Sequence, residues 1–288
     1  MRIAIASGKG GTGKTTVAAS LASVWDGPAI VADMDVEAPN LHLFVHPALS
    51  EEQTVFLEVP RLEESLCIAC GRCRDICRFK AIALFGKRLA LFPDMCHGCG
   101  GCFAVCAQKA LAPAQRELGM LQSGMALGQR FIMGRSRIGE AMTPPLLRAV
   151  LNRIEGMLED APADVLLDSP PGVSCPAMTV AREADVVLLV AEPTPFGFHD
   201  FRLAHQAVRE LGKPVAVAVN RAGPGTAELA EYCGRHGLPI LMELPFEPCA
   251  ARTYARGELI AEASPAWRER FVTLASRLRD FSRKAKDA

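Results

Sequence analysis

The run from Ser7 to Thr16 is rich in glycine and matches the pattern G-x-x-x-x-G-K-[ST]. Glycines let the backbone wind tightly, so that successive N–H groups point at one anion, and the N-terminus of the following helix adds positive potential. We therefore predict a nucleotide phosphate site rather than a glycine-rich turn before an ordinary helix. Lys14 would reach the β- and γ-phosphates, and Thr15 would hold Mg²⁺. The expected contact residues are Gly8, Gly10, Gly11, Thr12, Gly13, Lys14, Thr15 and Thr16.

Eight of the eleven cysteines fall between Cys67 and Cys106, in two copies of C-x2-C-x2-C-x3-C. Both copies match the spacing of two-cluster bacterial ferredoxins. Three thiolates on a tight turn can bind three corners of one cubane, while the fourth points away and completes the neighbouring cluster. We therefore predict one [4Fe–4S] cluster on Cys67, Cys70, Cys73 and Cys106, and a second on Cys96, Cys99, Cys102 and Cys77.

Two other interpretations of the array remain open, namely structural zinc, which also uses paired cysteines, and a role without metal. A duplicated triplet plus a fourth cysteine fits zinc poorly. Arg78 and Ala107 stand where such ferredoxins usually have proline, which removes no ligand. His97 lies inside the second copy, where all four ligand places are filled, so we expect a surface residue. Cys175 stands alone, and we expect a buried thiol without a ligand role.

The elements that must position these residues alternate between strands and helices on both sides of the array. Apolar strands are predicted over 2–6, 29–32, 164–168, 184–191, 214–219 and 239–244, with paired strands within 117–137 and a helix from Thr143 to about Leu158. The pattern predicts an α/β fold with one mostly parallel sheet and a small inserted α+β domain. The expected boundaries are 1–59 and 113–288 for the P-loop domain, and 60–112 for the ferredoxin-like insertion.

The segment Lys9-Gly-Gly-Thr-Gly-Lys-Thr-Thr16 resembles the deviant Walker A loop of the MinD/ParA/Mrp superfamily of P-loop ATPases, the SIMIBI class that includes the nitrogenase iron protein. In that superfamily the early lysine crosses a dimer interface to the partner's nucleotide. The resemblance implies this role for Lys9, and it implies catalysis by Lys9, Lys14 and Asp35. The plainer alternative is a lysine exposed in the loop.

The same resemblance assigns roles to residues at strand ends, which is also where open α/β sheets bind ligands. Asp35, supported by Asp33, would position Mg²⁺ and the attacking water, and Asp168 would contact Mg²⁺ through water. Asn220 resembles the superfamily's base-recognition asparagine. Gly223 stands where GTPases place a guanine-binding aspartate, which favours ATP. Solvated loop carboxylates, and a turn residue at position 220, are the plainer alternatives.

The 288-residue chain is half hydrophobic, 22% charged and formally neutral. A neutral chain gives no bulk argument for binding nucleic acid, and no run reaches the roughly 18 apolar residues of a membrane span. The first strand begins almost at Met1, so no signal peptide is expected and the predicted location is the cytoplasm. Cysteines in a reducing compartment favour metal or redox chemistry over disulfides.

Three functions compatible with these motifs remain open. In the first, a homodimer, or a heterodimer with a sister ATPase, couples ATP hydrolysis to electron transfer through two [4Fe–4S] clusters to a redox partner. In the second, the protein carries Fe–S clusters to an acceptor protein, as Mrp-type relatives do. In the third, a positioning ATPase senses redox state through its clusters. The amphipathic tail, from Ala266 onward, is expected to pack on the body rather than on a membrane.

Overall fold

The structure is a computed structural model that describes residues 1–286. Short apolar runs rich in Val, Ile, Leu and Ala form most of its strands, as expected for strands buried on both faces. The strands are β1 (Arg2–Ala6), β2 (Ala29–Asp33), β3 (Ala48–Leu62), β4 (Ile82–Phe85), β5 (Arg88–Leu91), β6 (Leu111–Ala126), β7 (Gln129–Ser136), β8 (Asp164–Asp168), β9 (Val186–Ala191), β10 (Val215–Ala222) and β11 (Ile240–Pro245).

Helices connect the parallel strands, and proline occupies the first turn of several of them, where its missing N–H costs no hydrogen bond. The helices are α1 (Lys14–Ser23), α2 (His42–Val45), α3 (Arg72–Ile76), α4 (Gly101–Ala104), α5 (Pro144–Asp160), α6 (Cys175–Glu183), α7 (Pro195–Glu210), α8 (Thr226–Arg235), α9 (Pro248–Ala255) and α10 (Pro265–Lys286).

Nine strands form one sheet in the order β11-β10-β9-β1-β8-β2-β7-β6-β3. The seven strands from β11 to β7 are mutually parallel, and β6 and β3 extend the sheet in antiparallel pairing. The predicted α/β class with a mostly parallel sheet is confirmed. The predicted pair of strands within 117–137 is confirmed as the β6–β7 hairpin, which returns the chain to β2.

Each face of the sheet is covered by its own core, because side chains alternate along a strand. In β1, Ile3 and Ile5 join the core that includes α1 and α10, whereas Ala4 and Ala6 join the core that includes α5 to α8. Both cores therefore meet at the central strand. This packing holds the carboxyl ends of β1, β8 and β2 side by side, at the edge of the sheet where the predicted site residues lie.

The longest strands, β3 and β6, form an arm that leads away from the sheet's parallel part. They pair from Ala48 opposite Met125 to Leu62 opposite Leu111. The whole cysteine array lies in the chain between the paired residues Leu62 and Leu111, together with the separate β4–β5 hairpin. No strand is predicted from the sequence over β3, because seven consecutive residues from Ala48 to Thr54 are exposed and show no buried face.

The C-terminal helix α10 packs its apolar stripe inward. Trp267, Phe271, Leu274 and Leu278 are buried in the same core as α1, which agrees with the expected packing of the tail on the body. Within residues 1–286, no helix combines the length and the apolar character that crossing a membrane requires.

Candidate functional site

The glycine-rich loop lies between β1 and α1, and its glycines are needed for close backbone approaches. A Cβ on Gly8 would meet the carbonyl oxygen of Asp200 at 2.1 Å. Gly13 precedes α1 in the left-handed region, with φ of 89°, and a Cβ there would meet the Asn220 amide at 2.2 Å. Any side chain at either position would displace the loop, so the glycines hold its shape.

Lys14 is buried and extends across the sheet to β8. Its Nζ donates to Asp168 Oδ1 at 3.0 Å, and both side chains are almost fully inaccessible to solvent. The second oxygen, Asp168 Oδ2, and the hydroxyl of Thr12 are buried without a hydrogen-bond partner among the described residues. Orphaned buried polar atoms are costly. Their presence beside Lys14 is the feature expected where phosphate oxygens, Mg²⁺ and its waters complete the coordination.

The two carboxylates after β2 have different surroundings. Asp33 is fully buried, and it accepts backbone N–H groups from Asp35, Asn40 and Leu41, so that it holds the loop that follows. Burial, followed by the charge of Asp168, raises the pKa of Asp33 to about 8. Asp35 is half-buried, faces the cavity beside the glycine-rich loop, and has a pKa raised chiefly by burial.

A cavity of about 270 Å³ extends from this loop. Of the predicted site residues, it is lined by Lys9, Gly10, Gly11, Thr12, Gly13, Lys14, Thr15, Thr16, Asp35 and Asn220. Two predicted residues do not line it. Gly8 packs against the backbone at Asp200, and Asp168 lies behind Lys14.

Asn220 follows the buried residues of β10, and its side-chain amide forms hydrogen bonds to the glycine-rich loop and to the next residue. Its Nδ2 donates to the carbonyl of Thr12 at 2.7 Å, and its Oδ1 accepts the N–H of Arg221 at 3.0 Å. The side chain therefore ties the end of β10 to the glycine-rich loop while also lining the cavity. The far wall contains residues that the sequence analysis did not assign: Phe44, Phe246, Glu247, Ala250, Tyr254 and Trp267.

Lys9 does not extend into solvent. Its Nζ lies 3.5 Å from Glu192 Oε2, and Arg221 donates to the other oxygen of the same carboxylate at 3.0 Å. Glu192 directly follows β9. Because its neighbours Ala191 and Pro193 carry no motif, only the three-dimensional arrangement identifies it as a partner of Lys9.

The cysteine array forms two separate groups. One cavity of about 180 Å³ is lined by Cys67, Cys70, Cys73 and Cys106. A smaller one, of about 30 Å³, is lined by Cys77, Cys96, Cys99 and Cys102. The fourth cysteine of each motif thus lies with the first three of the other, which is the exchanged grouping that the spacing predicted.

The backbone of the two copies is also repeated. Residues Ala69 and Gly98, Gly71 and Gly100, and Lys80 and Lys109 have positive φ at matching positions. Gly71 and Gly100 each start a short helix, α3 and α4. Two thiols accept backbone N–H groups, Cys96 from Gly98 and Cys106 from Ala110. Such donors stabilise sulfur that carries negative charge.

The thiols differ in burial. Cys73 is buried, and burial raises its pKa; burial also raises the pKa of Cys102, to about 11. Cys70 and Cys99 are exposed, and all eleven cysteines are free of disulfides. Across residues 1–286, no three His, Cys, Asp or Glu side chains meet closely enough to hold one metal ion. A cubane takes its four thiolates on separate irons, so cavity walls lined by four cysteines suit it without such convergence.

Of the remaining cysteines and histidines, Cys175 is the first residue of α6 and is exposed there, so the expectation of a buried thiol was wrong. His97 is exposed, and its ring stacks on Phe79 with centroids 3.5 Å apart. Cys233 is buried between helix and sheet, where burial raises its pKa to about 11. Cys175 and Cys233 lie outside both cysteine groups, whereas His97 lines the second cavity beside its four cysteines.

A connected set of contacts links the loop after β2 to the second cysteine group. Val36 accepts the N–H of Ser136 at 2.8 Å, and Glu37 accepts the hydroxyl of Thr143 at 3.1 Å. On the segment between those two partners, Glu140 pairs with the buried Arg116. These contacts attach the start of α5 to both the loop after β2 and the arm.

The same segment reaches the second cysteine motif. Arg137 donates to Asp94 at 2.9 Å and lies 3.5 Å from Glu140, while Arg116 lies 3.8 Å from Asp94. Asp94 is two residues before Cys96. Arg137, in the loop after β7, therefore contacts the cysteine segment.

This α/β sheet, with its glycine-rich loop between the central strand and first helix, defines a P-loop nucleotide-binding protein. The chain belongs to the family described as CobQ/CobB/MinD/ParA nucleotide binding domain, whose model matches residues 3–260.

Two uncharacterised proteins of Methanocaldococcus jannaschii are similar over nearly the whole chain. MJ0578 is 29% identical over 284 residues, which cover 98% of this chain and 97% of that protein; MJ0579 is 27% identical over 261 residues, 90% of each. Among solved structures, the septum site-determining protein MinD of Pyrococcus horikoshii, complexed with Mg-ADP, is similar with a TM-score of 0.56. Its sequence is 17% identical, and the matched region covers 96% of this chain and 95% of the MinD chain. This last likeness concerns the fold.

Proposed function

We propose that this protein is an ATPase that forms a nucleotide-dependent dimer and couples ATP binding and hydrolysis to electron transfer through two [4Fe–4S] clusters. Membership of the MinD/ParA-type ATPase family supports the nucleotide part. The grouping of the eight thiols into two exchanged sets of four supports the clusters, and it is the observation on which the proposal rests. The reducing cytoplasm would keep those thiols available.

In the nucleotide site, Lys14 would exchange Asp168 for phosphate oxygens, and Thr15 with Asp35 and Asp168 would hold Mg²⁺. Phosphoryl transfer then depends on positioning and on stabilisation of charge. Lys9 would leave Glu192 and reach the nucleotide of the second subunit. That second subunit is a copy of this chain or a sister protein; the two relatives that occur together in Methanocaldococcus jannaschii support a sister.

The proposal for Lys9 is tested with Lys9→Ala. We expect the variant to bind MgATP but to remain monomeric by light scattering, with hydrolysis reduced by about 100-fold. Lys284→Ala, an exposed lysine on α10, is the matched control and should behave as the parent. Normal hydrolysis by monomeric Lys9→Ala would refute the dimer.

The ferredoxin-like segment, 60–112, would hold one cluster on Cys67, Cys70, Cys73 and Cys106 and the other on Cys77, Cys96, Cys99 and Cys102. When bound, such clusters supply one-electron redox chemistry. Glu37 lies two residues after Asp35 and accepts the hydroxyl of Thr143. Glu140, three residues before Thr143, pairs with Arg137, which in turn pairs with Asp94. Coupling to the nucleotide would use this series of contacts.

The clusters are tested by iron and zinc analysis of protein purified without oxygen. We expect about eight irons per chain and no stoichiometric zinc. The pairing is tested with two double variants. Cys70→Ala with Cys106→Ala removes ligands from one cluster and should leave about four irons, whereas Cys70→Ala with Cys77→Ala removes a ligand from each and should leave almost none.

Cys175→Ala is the matched control for these variants and should keep the full iron content, since it is exposed and outside both groups. The reverse result, about four irons in the Cys70/Cys77 variant and almost none in the Cys70/Cys106 variant, would refute the exchanged pairing. Dithionite-reduced EPR spectra with and without MgATP then test coupling. A signal or potential that shifts with nucleotide supports ATP-gated electron transfer, and clusters indifferent to nucleotide contradict it.

A second function, delivery of Fe–S clusters to an acceptor protein, is favoured by one observation. Cys70 and Cys99, one from each group, are exposed to solvent, where an acceptor's thiols could compete for iron. Transfer of clusters to an apo-ferredoxin within minutes would favour this function over electron transfer. Retention of the clusters through repeated redox cycles would exclude it.

A further inference from the structure

The cysteine segment is basic although the whole chain is neutral. Residues 60–112 contain eight Lys and Arg side chains against four Asp and Glu, a formal charge of +4. All eight cationic side chains are exposed. Three of the four acids are neutralised by ion pairs, Glu63 by Arg61, Asp75 by Arg74, and Asp94 by Arg137. The cationic side chains of this segment therefore face solvent. Two [4Fe–4S] clusters on eight thiolates would add negative charge of similar size, so attraction of a partner depends on where the cations lie rather than on the net charge of the segment.

Six of the cations have no acidic partner within 4.0 Å anywhere in residues 1–286. They are Arg72, Arg78, Lys80, Lys87, Arg88 and Lys109. Unpaired cations around one site raise the local concentration of acidic partners and accelerate their association. A neutral chain with one basic region is suited to a partner that binds at that region.

The surface around the mouth of the first cysteine cavity is continuous with a neighbouring depression. Cys70, Ile68 and Arg72 line the cavity, and Arg72 with Ile76 lines the depression. The two share Arg72, Val105 and Ala107. We call this surface, formed by Ile68, Cys70, Arg72, Ile76, Ala107 and Gln108, the Cys70 face.

The Cys70 face combines an apolar centre with a basic border. Ile68 and Ile76 expose 66% and 45% of their surface. Arg72 lies on the face, and Lys109 follows the cavity-lining residue Gln108, while Asp75, which also lines the depression, is paired with Arg74. An apolar centre inside a charged border is the composition of a protein–protein interface. The apolar residues are aliphatic and cannot stack on bases as aromatic side chains do, which disfavours a nucleic acid.

We propose that the Cys70 face is the docking site for a small acidic electron-transfer protein. The acidic partner would pair with Arg72 and Lys109, while its own apolar centre covers Ile68 and Ile76. This seats the partner directly over the exposed Cys70. The inference rests on the proposed function, because it is the cluster held at Cys70 that makes the location useful.

The test uses the full chain, purified without oxygen, and two small redox proteins of opposite charge. An acidic [2Fe–2S] ferredoxin should bind, more weakly as salt is raised, and a basic cytochrome c should not. Arg72→Glu and Lys109→Glu should each weaken ferredoxin binding by about tenfold, mostly through slower association. Lys284→Glu makes the same charge change on α10 and should leave binding unchanged.

Absence of ferredoxin binding, or equal binding by the charge-reversed variants and the parent, would overturn the docking site. So would tighter binding of a 20-nucleotide single-stranded DNA that the same variants abolish, which would make the face a nucleic-acid surface. Iron content, measured on the same preparations, separates the two claims. Protein without iron refutes the clusters, whereas iron-loaded protein that ignores the acidic probe refutes only the docking site.

Discussion

Lys9 and Glu192 form an ion pair that also engages Arg221, so that one carboxylate holds the glycine-rich loop to the end of β10. Glu192 is 13% exposed and Lys9 31%, which leaves the pair open to exchange. If Lys9 serves a second subunit, Glu192 competes with that subunit for the same ammonium group. The carboxylate would then favour the monomer.

Removing that competition should favour association. Glu192→Gln keeps the shape of the side chain but loses its charge, and a partly exposed ion pair contributes about 0.2–1 kcal/mol. We therefore expect nucleotide-dependent self-association to strengthen by roughly two- to fivefold, measured by sedimentation with MgATP. Glu210→Gln, on an exposed helix end, should change nothing. Weaker association of Glu192→Gln would show that this carboxylate supports the dimer.

Lys14 and Asp168 form the most buried ion pair of the site. Lys14→Met would leave the Asp168 carboxylate buried without its cation, and breaking such pairs costs about 3–5 kcal/mol. We expect the free energy of unfolding, from urea titration without nucleotide, to fall by that amount, and ATP hydrolysis to fall by about 100-fold. Lys284→Met is the exposed control. Unchanged stability would mean that the pair contributes nothing net.

Asp33 makes stability depend on pH. Its pKa is raised to about 8 in the folded protein by burial and by Asp168, with Lys14 opposing, whereas the ordinary value is 3.8. The folded state therefore holds the proton more tightly, so this contribution is complete at acid pH and is lost as pH rises through about 8. We expect stability to fall between pH 5 and pH 8, and Asp33→Asn to flatten that slope.

The matched control for this prediction is Asp26→Asn, an exposed aspartate before β2. It should leave the slope as in the parent. Unfolding midpoints in urea, measured at each pH, give the comparison. A parent protein whose stability rises over this range would contradict the raised pKa of Asp33.

The hydrogen bond from Thr143 to Glu37 connects the loop after β2 to the segment that contacts the second cysteine motif. Thr143→Val keeps the shape and removes the hydroxyl that Glu37 accepts. We expect MgATP to slow hydrogen exchange across 94–106 in the parent and to have less than half that effect in the variant, with nucleotide affinity within about twofold. Thr179→Val is the control, since that hydroxyl bonds only within its own helix, to Cys175.

A full nucleotide response in Thr143→Val would remove this link from the coupling route. A lost response accompanied by lost nucleotide binding would instead indicate damage to the site itself.

The sequence alone determined the local chemistry of both sites. The glycine-rich loop and the duplicated cysteine motif are short, and their geometry follows from positions only a few residues apart, so spacing predicted the loop between β1 and α1 and the two groups of four thiols. The apolar strands were predictable for a similar reason, because burial on both faces requires continuous apolar runs.

Only the tertiary structure decided how these parts meet. Glu192 beside Lys9, Asn220 on the carbonyl of Thr12, and Arg137 on Asp94 join residues 183, 208 and 43 positions apart. Charged and amide side chains carry no periodic pattern that marks a distant partner, and the exposed strand β3 shows no buried face. Such contacts depend on which strands lie side by side, and that is determined by the packing of the whole sheet.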